Sequence, residues 1–237
     1  MSHELDPRLA LLYEMTPPCR LAADIGTDHG YLICTLVETN RALRGLAADL
    51  NPLPLEKARR EAQTRGLTKK ISFCLTNGLT GIPADGLDVI LIAGMGGETI
   101  SHILESWPER ETPGITWLLQ PMTKPERLRQ YLWDSGFVIS REKCCTAAGR
   151  VYSVLEARFT GETASHPQWE RHLGAIDPRE SPHALRYAQT KAAQLEKIAA
   201  GLNTSPDPQS RQRAAALAEA AAVIRGKIPP VTPSLLP

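Results

Sequence analysis

Over the first 160 residues, short apolar runs alternate with stretches of helical length, and this alternation constrains the fold most. Strand candidates fall at 21–25, 45–50, 71–75, 89–93 and 116–119, and helix candidates at 31–38, 54–65, 98–104 and 125–134. Strand–helix–strand repeats need crossover connections, which are right-handed and leave the strands parallel. The last two runs, 137–141 and 151–159, have only a short polar connection between them and should pair antiparallel. The expectation is a three-layer α/β domain over 1–160, with a mostly parallel seven-stranded sheet whose final strand is antiparallel.

The pattern changes after Gly161. Leu185, Ala188, Ala192, Leu195, Ala199 and Leu202 follow steps of three and four, as do Ala214, Leu217, Ala221, Ile224 and Ile228. That is a coiled-coil seam, and "NTSPDP" between the two series is a turn, so 161–237 should form a helical hairpin domain. It either packs on the sheet domain or grips a substrate. The last residues, "IPPVTPSLLP", should fray.

Composition is that of a soluble globular chain: 42% hydrophobic, 22% charged, net charge +1 over 237 residues. No apolar run approaches a membrane span, so no membrane partner is expected. Glu4 and Asp6 precede a short amphipathic pattern unlike a signal peptide. Five cysteines without CxxC spacing argue against disulfides and against a metal site. These features predict a cytoplasmic protein, and we expect a monomer.

In an open parallel sheet, ligands bind beyond the carboxyl ends of the strands. The first such loop is "LAADIGTDHGYL", 21–32. Gly26 and Gly30 allow close backbone approach, and the following helix offers free N–H groups. A dinucleotide fingerprint would need glycine at 28 and 31, where the chain has Asp28 and Tyr31. The pattern fits instead the acid-x-Gly-x-x-x-Gly loop of class I methyltransferases, with Asp24 as the acid. Asp49 closes the second strand, where a carboxylate binds ribose hydroxyls; alone it could be a surface loop acid. Asn77-Gly78 follows the third strand, as an adenine contact or an ordinary turn. "IAGMGGE", 92–98, follows the fourth strand with three glycines in four residues, more than a turn requires. Four such features at the ends of four successive strands point to S-adenosylmethionine.

"ADIGTDHGYL", "IAGMGGETI" followed by "HIL", "LLQPM" and "GRVYSVLEARF" together resemble the bacterial tRNA (adenine-22-N1)-methyltransferase family. The resemblance covers 5–160 well and the tail only in kind. It implies a Rossmann-like domain with a coiled-coil hairpin, S-adenosylmethionine as donor, and methylation of N1 of adenine 22 in tRNA. By position it implies cofactor contacts at Asp24, Gly26, Thr27, His29, Gly30, Asp49, Leu50, Asn77, Gly78, Ala93, Gly94, Met95 and Gly96. Asp28 would stand at the reacting centre. The family usually has Asp where this chain has Asn77, whose Oδ1 still accepts a hydrogen bond but should bind adenine less tightly.

Adenine N1 is an unprotonated lone pair, so methylation needs no prior deprotonation and develops positive charge. A fixed Asp28 carboxylate accepting from the exocyclic amine would stabilise that charge and hold N1 in line. The competing role for Asp28 is capping the next helix. His29 either orients the loop or touches cofactor. A base inside tRNA must be flipped out. Tyr31 is then a stacking platform or a core residue, and Gln120 bonds the base edge or the loop backbone. Residues 57–70, with Lys57 and Arg60, hold six Lys/Arg against one Glu, and 124–150 hold six against three acids. Each cluster binds phosphate or is a solvated face. The alternatives to the family's reaction are another RNA base, a small molecule, or a silent nucleoside-binding module.

Overall fold

Seven strands join in one sheet in the computed structural model, which describes residues 5–230. In chain order they are β1 (Cys19–Ile25), β2 (Ala42–Asp49), β3 (Ile71–Leu75), β4 (Val89–Gly96), β5 (Thr116–Thr123), β6 (Phe137–Ala147) and β7 (Arg150–Phe159). Their spatial order is β3-β2-β1-β4-β5-β7-β6. The pairs among β1 to β5 are parallel, while β7 runs antiparallel to both β5 and β6. The helices between them are α1 (Pro7–Met15), α2 (Tyr31–Glu38), α3 (Pro52–Thr64), α4 (Gly97–Glu105) and α5 (Pro125–Asp134).

Both sheet faces are covered, which is why the central strands read as continuous apolar runs. Successive residues serve opposite faces. Ala22 and Leu91 join the core with Leu12, Ile33 and Leu36 of α1 and α2. Ala23, Ile90 and Ile92 join the core with Ile100 and Leu104 of α4 and Leu128 of α5. The expected three layers are therefore present.

The sequence placed the end of the sixth strand too early. β6 runs on through "REKCCTA" to Ala147, and only Ala148 and Gly149, both at positive φ, connect it to β7. The charges that read as a connection belong to the strand. Glu142 is buried there, with its side chain fully covered and paired to Arg129 of α5 at 2.9 Å.

The described residues divide into two compact units between Ser165 and His166. The second contains α6 (Gln168–Leu173), α7 (Pro182–Asn203) and α8 (Pro208–Lys227). α7 and α8 pack on each other across the short turn and are joined by a bidentate Arg225–Glu196 pair at 2.9 Å. Ala188, Ala192, Leu195 and Ala199 are buried as the seam predicts, but Leu185 and Leu202 are half-buried and Ala184 and Tyr187 are buried instead. Ile228 lies past the end of α8. α6 is too short to leave a periodic signal in sequence. Of the tail expected to fray, 231–237 lies outside the described residues, as do residues 1–4.

Candidate active site

The strand order reverses direction between β1 and β4, the place where open α/β sheets bind ligands. A cleft of about 510 Å³ opens there, walled by the loop after β1, the end of β2, the end of β4 and the first turn of α1. Most sequence-derived candidates meet in it: Asp24, Gly26, Thr27, Asp28, His29, Gly30, Tyr31, Asp49, Ala93, Gly94, Met95 and Gln120 all line the cleft.

The loop after β1 is held by backbone bonds. The Gly26 and Thr27 N–H groups both donate to the Ala48 carbonyl, at 2.8 and 3.0 Å, which sets the loop beside Asp49. Gly26 has φ +79°, and a Cβ there would lie 2.1 Å from Met95 Cε. Glycine is therefore required by both conformation and space. Gly30 caps α2 in the left-handed region, with no side-chain cap bond. Asp28 consequently does not cap the helix. Its side chain is 73% exposed on the cleft rim, 3.9 Å from Lys57 Nζ and 3.6 Å from His29 Nε2. Lys57 Nζ is also 3.5 Å from His29 Nε2. The His29 and Tyr31 rings stack, 5.1 Å apart and 4° from parallel. Tyr31 is half-buried in the cleft wall rather than buried in the core.

Asp24 is the buried acid of the site. Burial, opposed by a weak hydrogen bond from Thr27 and aided by the charge of Asp49, raises its pKa from 3.8 to about 6. Beside it, Thr27 Oγ1 is buried with no well-formed hydrogen bond. Asp49 Oδ1 accepts from the Asn51 N–H at 2.7 Å. Gln120 is buried, and its Oε1 accepts from the Gly94 N–H at 3.1 Å. Of its two expected roles, the structure shows the backbone tie.

Several candidates lie elsewhere. Leu50 and Asn77 are exposed and do not line the cleft. Gly78 packs against Ile103. Gly96 precedes α4 as its cap, and a Cβ on Gly97 would lie 2.3 Å from the Lys124 carbonyl. The glycine run thus puts one glycine, Gly94, in the cleft and uses the others to seat α4. Arg60 is exposed on α3, away from the cleft lining. Half of the second basic cluster is paired within the fold, Arg129 with Glu142, Arg141 with Glu156 and Lys124 with Glu98, while Arg127, Lys143 and Arg150 are exposed. In the first, Arg65 pairs with Glu61 and Glu38, and Arg59 lies over the Phe73 ring. Lys69 and Lys70 remain exposed alongside Arg60.

Sequence reasoning missed Asp6, Arg8, Leu9 and Leu32. Asp6-Pro7 is a legible helix start, since Asp6 Oδ1 accepts from the Arg8 N–H and Pro7 opens α1. Nothing in the sequence announces that this first turn reaches the cleft.

A doubly covered parallel sheet, a glycine-bearing loop after β1, and carboxylates closing β1 and β2 define a Rossmann-like S-adenosylmethionine-dependent methyltransferase. A family model described as a methyltransferase domain matches residues 5–155. The tRNA (adenine(22)-N(1))-methyltransferase of Bacillus subtilis strain 168 is 32% identical over 163 residues, 69% of this chain and 68% of that protein. The crystal structure of the B. subtilis M1A22 tRNA methyltransferase TrmK superposes with a TM-score of 0.81 at 26% identity, covering 95% of this chain and 99% of that one. Sp1610 of Streptococcus pneumoniae, in complex with S-adenosyl-L-methionine, does so with a TM-score of 0.78 at 28% identity, covering 92% and 97%. The chain belongs to the tRNA (adenine-22-N1)-methyltransferase family.

The residues present fit the cofactor. The cleft volume lies in the usual range for small-molecule sites. The buried Thr27 hydroxyl faces Asp24 without a well-formed bond, which leaves it able to turn to a ligand.

Proposed function

We propose that this chain methylates N1 of adenine 22 in tRNA. The cofactor supplies, when bound, a methyl group activated on a sulfonium. Asp24 and Asp49 hold its amino group and ribose hydroxyls, while Gly26, Thr27, Gly30 and Ala93–Met95 shape its cradle. Asp28 accepts a hydrogen bond from the exocyclic amine of the flipped adenine. That bond holds N1 in line for transfer and stabilises the cation that forms on the ring. The stacked His29–Tyr31 pair gives the flipped base an aromatic neighbour on the rim. Lys57, Arg60, Lys69 and Lys70 give tRNA phosphates a basic approach from α3 and its following turn, and the helical unit adds a second basic face. The reading places the protein in the cytoplasm with its tRNA.

One observation carries this most: Asp28 stands exposed on the rim with no helix to cap. A carboxylate kept there has a substrate to meet. The test is to incubate the protein with S-adenosylmethionine and tRNA transcripts bearing A22 or G22, then digest and read the nucleosides by mass spectrometry. We expect 1-methyladenosine from the A22 transcript and none from G22. Its absence from both, or its presence in both, overturns the assignment.

A further inference from the structure

We infer that Lys57 is a positioning residue for the methyl transfer, holding the Asp28 carboxylate where the flipped adenine meets it. The inference rests on the role given to Asp28 above and goes beyond the general basic approach along α3. Asp28 is 73% exposed, and a carboxylate on so open a rim turns freely unless its neighbours fix it. A charge stabilises a transition state best when it is already in place and need not reorganise as the reaction proceeds.

Two groups face Asp28, and they meet different oxygens. Lys57 Nζ lies 3.9 Å from Oδ1, and His29 Nε2 lies 3.6 Å from Oδ2. Lys57 Nζ and His29 Nε2 are 3.5 Å apart, which closes the triangle. An ammonium has three donors, so one lysine can serve both neighbours, while the stacked Tyr31 ring braces His29. The close seating of α3 brings Lys57 to this loop. A Cβ on Gly30 would lie 2.8 Å from Ala58 Cβ and 3.0 Å from Ala58 Cα, so glycine at 30 lets the helix approach with Lys57 beside that contact. A lysine on a helix would ordinarily pair with the acid four residues on. Here that acid is Glu61, and Arg65 already holds it at 2.6 Å. Lys57 is half-buried against the loop, whereas Arg60, Lys69 and Lys70 stand exposed. An ammonium beside Asp28 also dilutes its charge, but water screens a pair this exposed. Orientation therefore decides the sign.

The experiment measures single-turnover methylation of the A22 transcript with cofactor and tRNA saturating. Beside it run tRNA affinity across salt and S-adenosylhomocysteine affinity by calorimetry, all on the full chain. Lys57→Gln should slow the step about tenfold, a part of the 10²–10³ that loss of the charged partner itself costs. Both affinities should stay within about threefold of the parent. Lys57→Arg keeps the charge and the reach and should restore most of the rate. In the Asp28→Asn background, Lys57→Gln should slow the step no further, because Lys57 acts through Asp28. An unchanged rate with weaker tRNA binding and a shallower salt slope makes Lys57 a phosphate contact only and overturns the inference. So does an equal slowing in both backgrounds, or a faster Lys57→Gln enzyme. If Asp28→Asn is itself as fast as the parent, the role of Asp28 fails and this inference with it. A parent that makes no 1-methyladenosine overturns the proposed function instead.

Discussion

Asp28 and Asp24 are four residues apart, one on the loop after β1 and one near the end of that strand, and their surroundings give them opposite properties. Asp28 is exposed and caps nothing, so Asp28→Asn should leave the fold and cofactor affinity intact. It should slow single-turnover methylation by about 10²–10³, the usual cost of removing one preorganised electrostatic partner. A rate within about threefold of the parent, ~0.65 kcal/mol of barrier, would falsify the catalytic role. Asp24 is buried, with a pKa near 6 instead of 3.8. A carboxyl whose folded pKa is raised stabilises the fold while protonated, and that contribution is lost as pH rises through about 6. The swing is about 3 kcal/mol. Asp24→Asn should therefore stabilise the ligand-free protein at pH 7.5, measured by urea denaturation, and flatten its stability between pH 4 and 7. Cofactor binding has the opposite sign, because the ammonium wants the ionised acid. Affinity for S-adenosylhomocysteine should fall toward tenfold per pH unit below about 6, and the calorimetric profile of Asp24→Asn should be flat. At this scale the sequence was legible where loop chemistry is local: glycine spacing marks Asp24 and Asp28, and the end of the second strand marks Asp49. It was silent on Arg8, whose place in the cleft follows from how α1 packs and from no pattern around Arg8 itself.

Among the elements, α2 and α5 lie where periodicity predicts them, because apolar spacing, and Pro125 at the start of α5, are written in consecutive residues. β6 was not, because one of its inward positions is a glutamate. The Glu142 and Arg129 side chains are both fully covered and joined at 2.9 Å, and Arg129 Nη2 also reaches Ser153 Oγ at 3.4 Å. A buried pair looks in sequence like charges meant for water, and in structure it is core. Its energetics differ from those of a surface bridge, since removing one partner strands a charge without water. Glu142→Ala should cost about 3–5 kcal/mol in urea denaturation, with the loss seated at the α5–β6 contact. The double replacement Arg129→Met with Glu142→Leu should recover most of it, because no charge is then left unpaired. A Glu142→Ala loss below about 1 kcal/mol would show that water reaches the pair.

At the scale of the whole molecule, the question is what the second unit does. Both cores of the first unit are built from residues before its own boundary, so it has the makings of an independent fold. The cleft, too, is lined by residues of the first unit alone. The second unit buries its own seam and leaves Lys197, Arg211 and Arg213 exposed. Cations that contact phosphates displace condensed counterions, so each such contact steepens the fall of affinity with salt. A chain ending at Ser165 should bind S-adenosylhomocysteine within twofold of the full chain, yet bind tRNA at least tenfold more weakly and with a shallower salt dependence. Lys197→Glu, Arg211→Glu and Arg213→Glu combined in the full chain should reproduce the loss while keeping the helices, as judged by circular dichroism. That variant separates a missing phosphate grip from a damaged fold. Equal tRNA affinity and salt slope in all three proteins would reduce the helical unit to a structural appendage and leave tRNA recognition to α3 and the cleft rim.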